Sequence, residues 1–400
     1  MDPVEQWRND TPAARRIVHL NNAGASLMPR VVVDTVVEHL RLEEQIGGYE
    51  ATDRRQSAIA EVYETMASFL GCRARNIALV ENSTVAFSQA LAAFDFAPGD
   101  RIVTTRNDYI SNQIAFLALA RRRGIEVVRA ADLAEGGADP QDFARQLARP
   151  NVRVATVSWM PTNSGLIQDV PAIAAACTAA GVPLIVDACQ VVGQMPVDAN
   201  ALGCHFLCGT SRKFLRGPRG IGFLFVSDAA LDRGMYPLAL DMQGARWSGA
   251  DRFELVDSAQ RFENWEFAHA IVLGLGAAAR YALGIGLETI ASRCQKLAAY
   301  ARTRLAALDG ATILDRGRRR GAIVTLHLRG HDPRDIVPIL RQRGINTTAT
   351  LREWAILDME EKGVDAALRV SPHYYNTTEE IDRLAEELRE MQKSGAVGRI

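Results

Sequence analysis

Lysine is almost missing from this chain, which has four in 400 residues against forty-two arginines. Only one of the four, Lys213, precedes Lys296. Where arginine supplies positive charge everywhere else, a lone lysine is kept for an amine that can lose its proton and form a Schiff base. The competing reading is an ordinary surface lysine, and scarcity alone does not separate the two. Paired cysteines are missing as well. Cys72, Cys177, Cys189, Cys204, Cys208 and Cys294 include no CxxC pair and no Cys/His spacing suited to zinc. Cys204 and Cys208 flank Phe206-Leu207, which reads as strand packing, and a reducing cytoplasm suits the whole set. Charge of one sign is not in excess either. Lys plus Arg total 46 and Asp plus Glu 47, which argues against nucleic acid or an anionic membrane as principal partner. The stretch from Met1 to Trp7 lacks the basic-then-apolar pattern of a signal peptide. The longest apolar run, 270–279, is too short to span a bilayer.

What is present is a regular alternation of helical patterns and short apolar runs. Helices are expected over 58–70, 85–94, 110–123, 140–148 and 171–180. Strands are expected over 77–80, 101–105, 126–129, 154–158 and 183–186, with apolar pieces at 206–208 and 221–226. This implies an α/β fold with a mostly parallel sheet flanked by helices, and such sheets bind ligands beyond the carboxyl ends of their strands. A long helical stretch, 271–308, then leads into a strand at 323–328, a helix at 333–343, a short strand at 369–371 and a closing helix at 378–393. The expected division is an N-terminal segment 1–15, a large domain 16–285 and a smaller α+β domain 286–400. Arg316, Arg318, Arg319 and Arg320 read as a solvated loop rather than a phosphate site.

Lys213 lies in the cationic turn Gly209-Thr210-Ser211-Arg212-Lys213-Phe214, and its neighbourhood suits pyridoxal 5'-phosphate. That cofactor needs a lysine, a carboxylate at the pyridine nitrogen, a phosphate cradle and a flat group against its ring. Asp187 ends the apolar run Leu184-Ile185-Val186, at the end where ligands bind, although an acid there also suits a helix cap. Gln190, three residues on, points back toward the same place and offers a donor to the phenolic oxygen. Ser83 and Thr84 open a helix whose free N–H groups favour a dianion, and plain capping explains the same residues. Thr210 and Arg212 are placed to complete the cradle. Tyr109 suits a ring-stacking role or a core position equally well.

Taken in order, these segments resemble the class V aminotransferases, the fold-type I branch of pyridoxal-phosphate enzymes. That branch includes cysteine desulfurases, isopenicillin N epimerase-like proteins and ergothioneine C–S lyases. The motifs are His19-Leu20-Asn21-Asn22-Ala23-Gly24, Val186-Asp187-Ala188-Cys189-Gln190, the lysine segment through Gly222, and Leu368-Arg369-Val370-Ser371. The resemblance implies Lys213 as the Schiff-base lysine and Asp187 as the pyridinium partner. It implies Gln190 at the phenolate oxygen, Tyr109 on the ring, and Ser83, Thr84 and Thr210 on the phosphate, with Arg212 beside them. Arg369 matches the arginine that grips the substrate carboxylate in a bidentate fork. Asn22, Ala23 and Gly24 fall beside the substrate. The tracts 45–50 and 161–165, which hold Tyr49, Thr162 and Asn163, look most like the ergothioneine lyase and epimerase-like sub-branch; there Tyr49 suits a place in the substrate pocket, and a glycine turn presenting it to packing suits it equally. A homodimer with a small amino-acid substrate is also implied.

Two departures stand out. The segment 346–368 contains no cysteine, where desulfurases carry their nucleophile, so a persulfide-forming cysteine desulfurase is not expected. Trp265-Glu266 replaces the Gly-Thr pair whose hydroxyl reaches the partner's phosphate in many relatives. The function expected is β-elimination from a cysteine S-conjugate or sulfoxide, releasing pyruvate and ammonia. Transamination is the alternative. Epimerisation needs a second base on the opposite face, and the sequence identifies none, Tyr49 and His373 being no more than guesses. A catalytically dead relative would not have kept its lysine.

Overall fold

The computed structural model describes residues 2–394; Met1 and 395–400, the outer ends of the two terminal segments expected above, lie outside it. Seven strands form the central sheet: β1 (Ile77–Val80), β2 (Arg101–Thr104), β3 (Glu126–Arg129), β4 (Val152–Ser158), β5 (Leu184–Asp187), β6 (Phe206–Thr210) and β7 (Gly222–Val226). Their order is β1-β7-β6-β5-β4-β2-β3. Only β7 runs antiparallel to its neighbours. β5 and β6 are buried along their whole length. That is why Leu184-Ile185-Val186 and Phe206-Leu207-Cys208 are unbroken apolar runs: a strand covered by helices on both faces has no solvent side for polar residues.

Register then assembles the site. Ser158 at the end of β4 pairs with Asp187 at the end of β5, and Asp187 pairs with Cys208 on β6, so polar groups converge at one sheet edge. Gly222 opens β7 where a Cβ would lie 2.7 Å from the Gly209 carbonyl and 2.8 Å from the Asn82 backbone. Glycine there lets the turn before Ser83 close against the lysine-bearing strand. The helix expected from 85 starts earlier, at Ser83–Ala92, because the Asn82 side chain accepts from Val85 N and draws Ser83 and Thr84 into the first turn.

The stretch 271–308 is not one helix. It divides into His269–Ile285 and Leu287–Ala306, bent 81° at Gly286, whose φ of 92° breaks the helix while the apolar pattern runs on. No single helix among the described residues is long and apolar enough to cross a membrane. The helix Arg30–Ile46 has no counterpart in the expected elements, since its run of valines carries a strand-like signal. A second sheet, β8 (Ala311–Ile313), β9 (Val324–Leu328), β10 (Thr348–Leu351) and β11 (Ala366–Val370), is antiparallel in the order β8-β9-β11-β10. The N-terminal strand Val18–His19 pairs with Ile345–Asn346, and Asn21 bridges Ser371. These pairings bring the 19–24 turn to the strand that carries Arg369. Arg316 and Arg318 pair with Glu361 and Glu135 at the surface, as a solvated loop should.

Glu263, at the end of the short helix Ala259–Phe262, anchors this framework. Glu263, 5% exposed, accepts from Leu79 N at 2.7 Å and from the Tyr63 hydroxyl at 2.9 Å. Burial pushes its carboxyl from 4.5 up to about 7. The native state therefore holds a proton that the unfolded chain releases between those values, so stability falls as pH rises from about 4.5 to 7. The loss is on the order of 3 kcal/mol. Glu263→Gln should flatten that slope in urea unfolding measured at pH 5 and pH 8; an unchanged slope would assign it to other groups.

Candidate active site

A cavity of about 890 Å³ opens at the carboxyl ends of β4, β5 and β6. Ser83, Thr84, Tyr109, Thr162, Asp187, Gln190, Thr210, Arg212 and Lys213 all line it. Lys213 is 7% exposed, and its Nζ stands 5.8 Å from the Tyr109 ring centroid. Burial holds its ammonium below the ordinary lysine range; Cys189 and Asp187 oppose this, while Arg212 and Arg369 reinforce it. The result is an amine whose charged form is disfavoured by its surroundings.

The lysine turn is pinned from behind. Arg216, with φ 63° and 1% exposed, donates to Leu27 O at 2.9 Å, to Thr11 Oγ1 at 2.5 Å and to the Tyr374 hydroxyl. Its guanidinium lies 4.3 Å from the Tyr375 ring centroid. His373 Nε2 donates to Phe214 O at 2.7 Å and Nδ1 faces Cys294 Sγ at 3.2 Å. Burial, with the Arg216 charge, keeps His373 neutral. His373 is therefore a prop for the lysine turn and offers no base to the cavity.

Asp187, 6% exposed, accepts from Cys189 N at 3.0 Å through Oδ1 and from Asn112 Nδ2 at 3.3 Å through Oδ2. Ser83 and Thr84, in the first turn of their helix, line the same cavity as Thr210 and Arg212, where a helix start leaves free N–H groups. Arg369 on β11 sits immediately behind Thr162. Its Nη1 donates to Thr162 O at 3.0 Å and Oγ1 at 2.8 Å, and its Nη2 to Asn21 Oδ1 at 3.2 Å. Its Nε has no partner, and no carboxylate among the described residues pairs with it. Burial, then the Arg212 charge, holds Arg369 down to about 10.

The other sequence-derived candidates divide. Ala23 and Gly24 contribute carbonyls: Ala23 O accepts from Gln190 Nε2 at 3.0 Å and Gly24 O from Arg212 Nη1. Gln190 thus turns its N–H groups toward Ala23 and Thr162 and leaves Oε1 unpartnered, so donation to a cofactor oxygen requires the amide to rotate. Asn22 is consumed by the scaffold, bonded to Ser371 O, Asn376 and the Tyr375 hydroxyl. Its neighbour Asn21 is the one that meets Arg369, because consecutive side chains of this turn point opposite ways. Asn163 is buried and donates to Asp358 at 2.7 Å, outside the cavity. Tyr49 is 75% exposed on the helix Gly48–Arg54 and lines a neighbouring depression with Tyr63 and Trp265. Three residues not singled out by sequence, Asp108, Asn112 and Ser158, surround Asp187.

The chemistry of the cavity suits pyridoxal 5'-phosphate. Lys213 and Arg212 line it and Arg369 stands behind it, while Gln190 Oε1 and Arg369 Nε are buried without partners. An anionic guest offsets the Arg212 charge, and Arg369 Nε remains open to a further carboxylate, whereas Gln190 Oε1 is an acceptor and needs a donor.

The sequence profile described as "Aminotransferase class-V" matches residues 18–384. A probable cysteine desulfurase from Methanothermobacter thermautotrophicus is 28% identical over 400 residues, covering 98% of this chain and 99% of that protein. A cysteine desulfurase from Pectobacterium atrosepticum is 28% identical over 408 residues, covering 98% of each. The fold is similar to that of the apo cysteine desulfurase from Thermococcus onnurineus NA1, with a TM-score of 0.89 at 24% identity over 98% of both chains. These full-length relatives overturn the expectation that a persulfide-forming cysteine desulfurase is excluded. That expectation rested on the cysteine-free segment 346–368, which is folded into β10, the turn Arg352–Trp354, the helix Ile356–Lys362 and β11. A different thiol, Cys189, lines the cavity, and a persulfide also leaves directly when the substrate is itself a disulfide. One missing loop cysteine does not decide the fate of sulfur.

Proposed function

Because the chain belongs to the class-V aminotransferases, pyridoxal 5'-phosphate enzymes that act on amino acids, we propose that it cleaves the Cβ–S bond of a cysteine-derived amino acid by β-elimination. The observation that carries this reading is a buried Lys213 in the cavity wall, its charge disfavoured by burial, with a buried Arg369 behind it that lacks a counter-ion. The bound cofactor supplies an electron sink that makes the Cα proton removable. Arg369, backed by Thr162 and Asn21, takes the substrate carboxylate. Lys213 removes the Cα proton. Asp187 holds the pyridine nitrogen protonated, Ser83, Thr84, Thr210 and Arg212 hold the phosphate, and Tyr109 covers the ring. Sulfur leaves with the bonding pair as a thiolate, and one water completes the products: pyruvate, ammonia and the thiol.

The full-length relatives named cysteine desulfurases favour a second reading, in which sulfur passes to an acceptor thiol and alanine is released. Leu238, at the cavity rim, is 81% exposed, and Trp247, Met242 and Trp265 are exposed nearby in sequence, a surface suited to the homodimer that belongs to this proposal. The test is product identity. Holoenzyme incubated with S-aryl cysteine conjugates and no keto acid should form pyruvate, ammonia and thiol in equal amounts. Strict dependence on a keto acid would make it a transaminase, and alanine with persulfide from cysteine would establish the second reading.

A further inference from the structure

Asp187 is surrounded by donors that also answer to a second buried carboxylate. Asp108, 4% exposed, accepts through Oδ1 from Ser158 Oγ at 2.5 Å, Tyr109 N at 2.7 Å and Asn112 Nδ2 at 3.1 Å. Through Oδ2 it accepts from Gln113 Nε2 at 3.0 Å and Thr104 Oγ1 at 3.1 Å. Two of these five donors touch Asp187 Oδ2 as well, Asn112 Nδ2 at 3.3 Å and Ser158 Oγ at 3.5 Å. Asn112 has two N–H hydrogens and serves both carboxylates. Ser158 has a single proton, and its oxygen already faces Tyr109 N at 3.3 Å. That proton has to choose, and the shorter contact gives it to Asp108.

The choice matters because a carboxylate that receives fewer hydrogen bonds is more basic. We propose that Asp108 is a positioning residue for Asp187: it draws the Ser158 hydroxyl proton to itself, so that Asp187 keeps its hold on the proton of the pyridine nitrogen. The proposal rests on the reading of Asp187 as the pyridine partner. Gln113 supports the arrangement from the far side, since its Oε1 is gripped by Arg129 Nε at 3.0 Å and Nη2 at 2.8 Å, which turns its N–H groups toward Asp108. Burial pushes the Asp108 carboxyl up, and the Ser158, Gln113 and Asn112 donors offset this. The same carboxylate fixes the backbone of Tyr109, tying the ring-stacking residue and the nitrogen partner to one anchor.

In Asp108→Asn, a neutral amide oxygen competes poorly with the Asp187 carboxylate for the Ser158 proton, which then turns to Asp187. Holoenzyme reconstituted with cofactor labelled with ¹⁵N in the ring reports the nitrogen's protonation through its chemical shift. The Asp108→Asn variant should show about a tenfold drop in the protonated-to-neutral ratio, the scale of one charge-assisted hydrogen bond. Ser158→Ala added to that variant should restore most of the ratio, because the competing proton is gone. A merely structural role for Asp108 would not be rescued in this way, and a double variant that stays low overturns the proposal. If Asp108→Asn does not fold, Ser158→Ala alone decides: an unchanged ratio is expected, and a raised one would show that the hydroxyl already serves Asp187. Asp187→Asn provides the separate control, and a ring nitrogen indifferent to it removes the reading of Asp187 itself.

Discussion

Replacing Lys213 with alanine is expected to bleach the purified protein and to slow turnover roughly 10⁴-fold or more. The side chain is asked to anchor the cofactor and to move the Cα proton, and nothing else in the cavity offers an amine. Lys213 makes no hydrogen bond or ion pair among the described residues, and burial already disfavours its charge. Removing it should therefore leave thermal stability equal or higher, which separates lost chemistry from lost folding. Lys213→Arg should be as inactive as the alanine variant, because a guanidinium keeps its proton and forms no imine. In a chain that uses arginine for nearly every cation, that swap tests why this lysine survives. Yellow, active Lys213→Arg protein would contradict the assignment.

Arg369→Ala is expected to lower kcat/KM by roughly 30-fold to several thousand-fold, the ~2–5 kcal/mol lost when one partner of a buried charge pair is truncated. Most of it should appear in KM, since the carboxylate is held throughout the reaction. Arg369→Lys should recover little. The guanidinium reaches Thr162 and Asn21 through two different nitrogens, and an ammonium has no equivalent fork. Cofactor binding, titrated by absorbance, should change far less than KM, because Arg369 bonds Thr162 and Asn21 and none of Ser83, Thr84, Thr210 or Arg212. A variant with unchanged KM but weakened cofactor binding would move Arg369 into a purely structural role.

Residues that line the cavity are legible in the sequence where their signal is local. Lys213 is marked by its rarity and its cationic turn, and Asp187 by the apolar strand it ends. Ser83 and Thr84 follow from the start of a helix. Contacts across long separations were not legible. Thr162 with Arg369 and Asn21 with Arg369 span 207 and 348 residues. Which of Asn21 and Asn22 faces the site depends on a turn direction that composition does not reveal. Tyr49 and Asn163 were drawn in by motif and point elsewhere, one to the surface and one to Asp358. Gly286 bent a helix that periodicity carried straight through, because one φ leaves no trace in an apolar pattern. The absent loop cysteine misled for a different reason: it speaks to one route for sulfur, and the cavity offers others.

The central claim is that Lys213 carries the cofactor, and borohydride reduction of the wild-type holoenzyme tests it most directly. Reduction fixes a lysine-linked pyridoxal group irreversibly, and peptide mass mapping then locates it. The account predicts one pyridoxyl group per chain, on the peptide containing Lys213. A label on Lys296, Lys362 or Lys393, or no label on a protein saturated with cofactor, would contradict it.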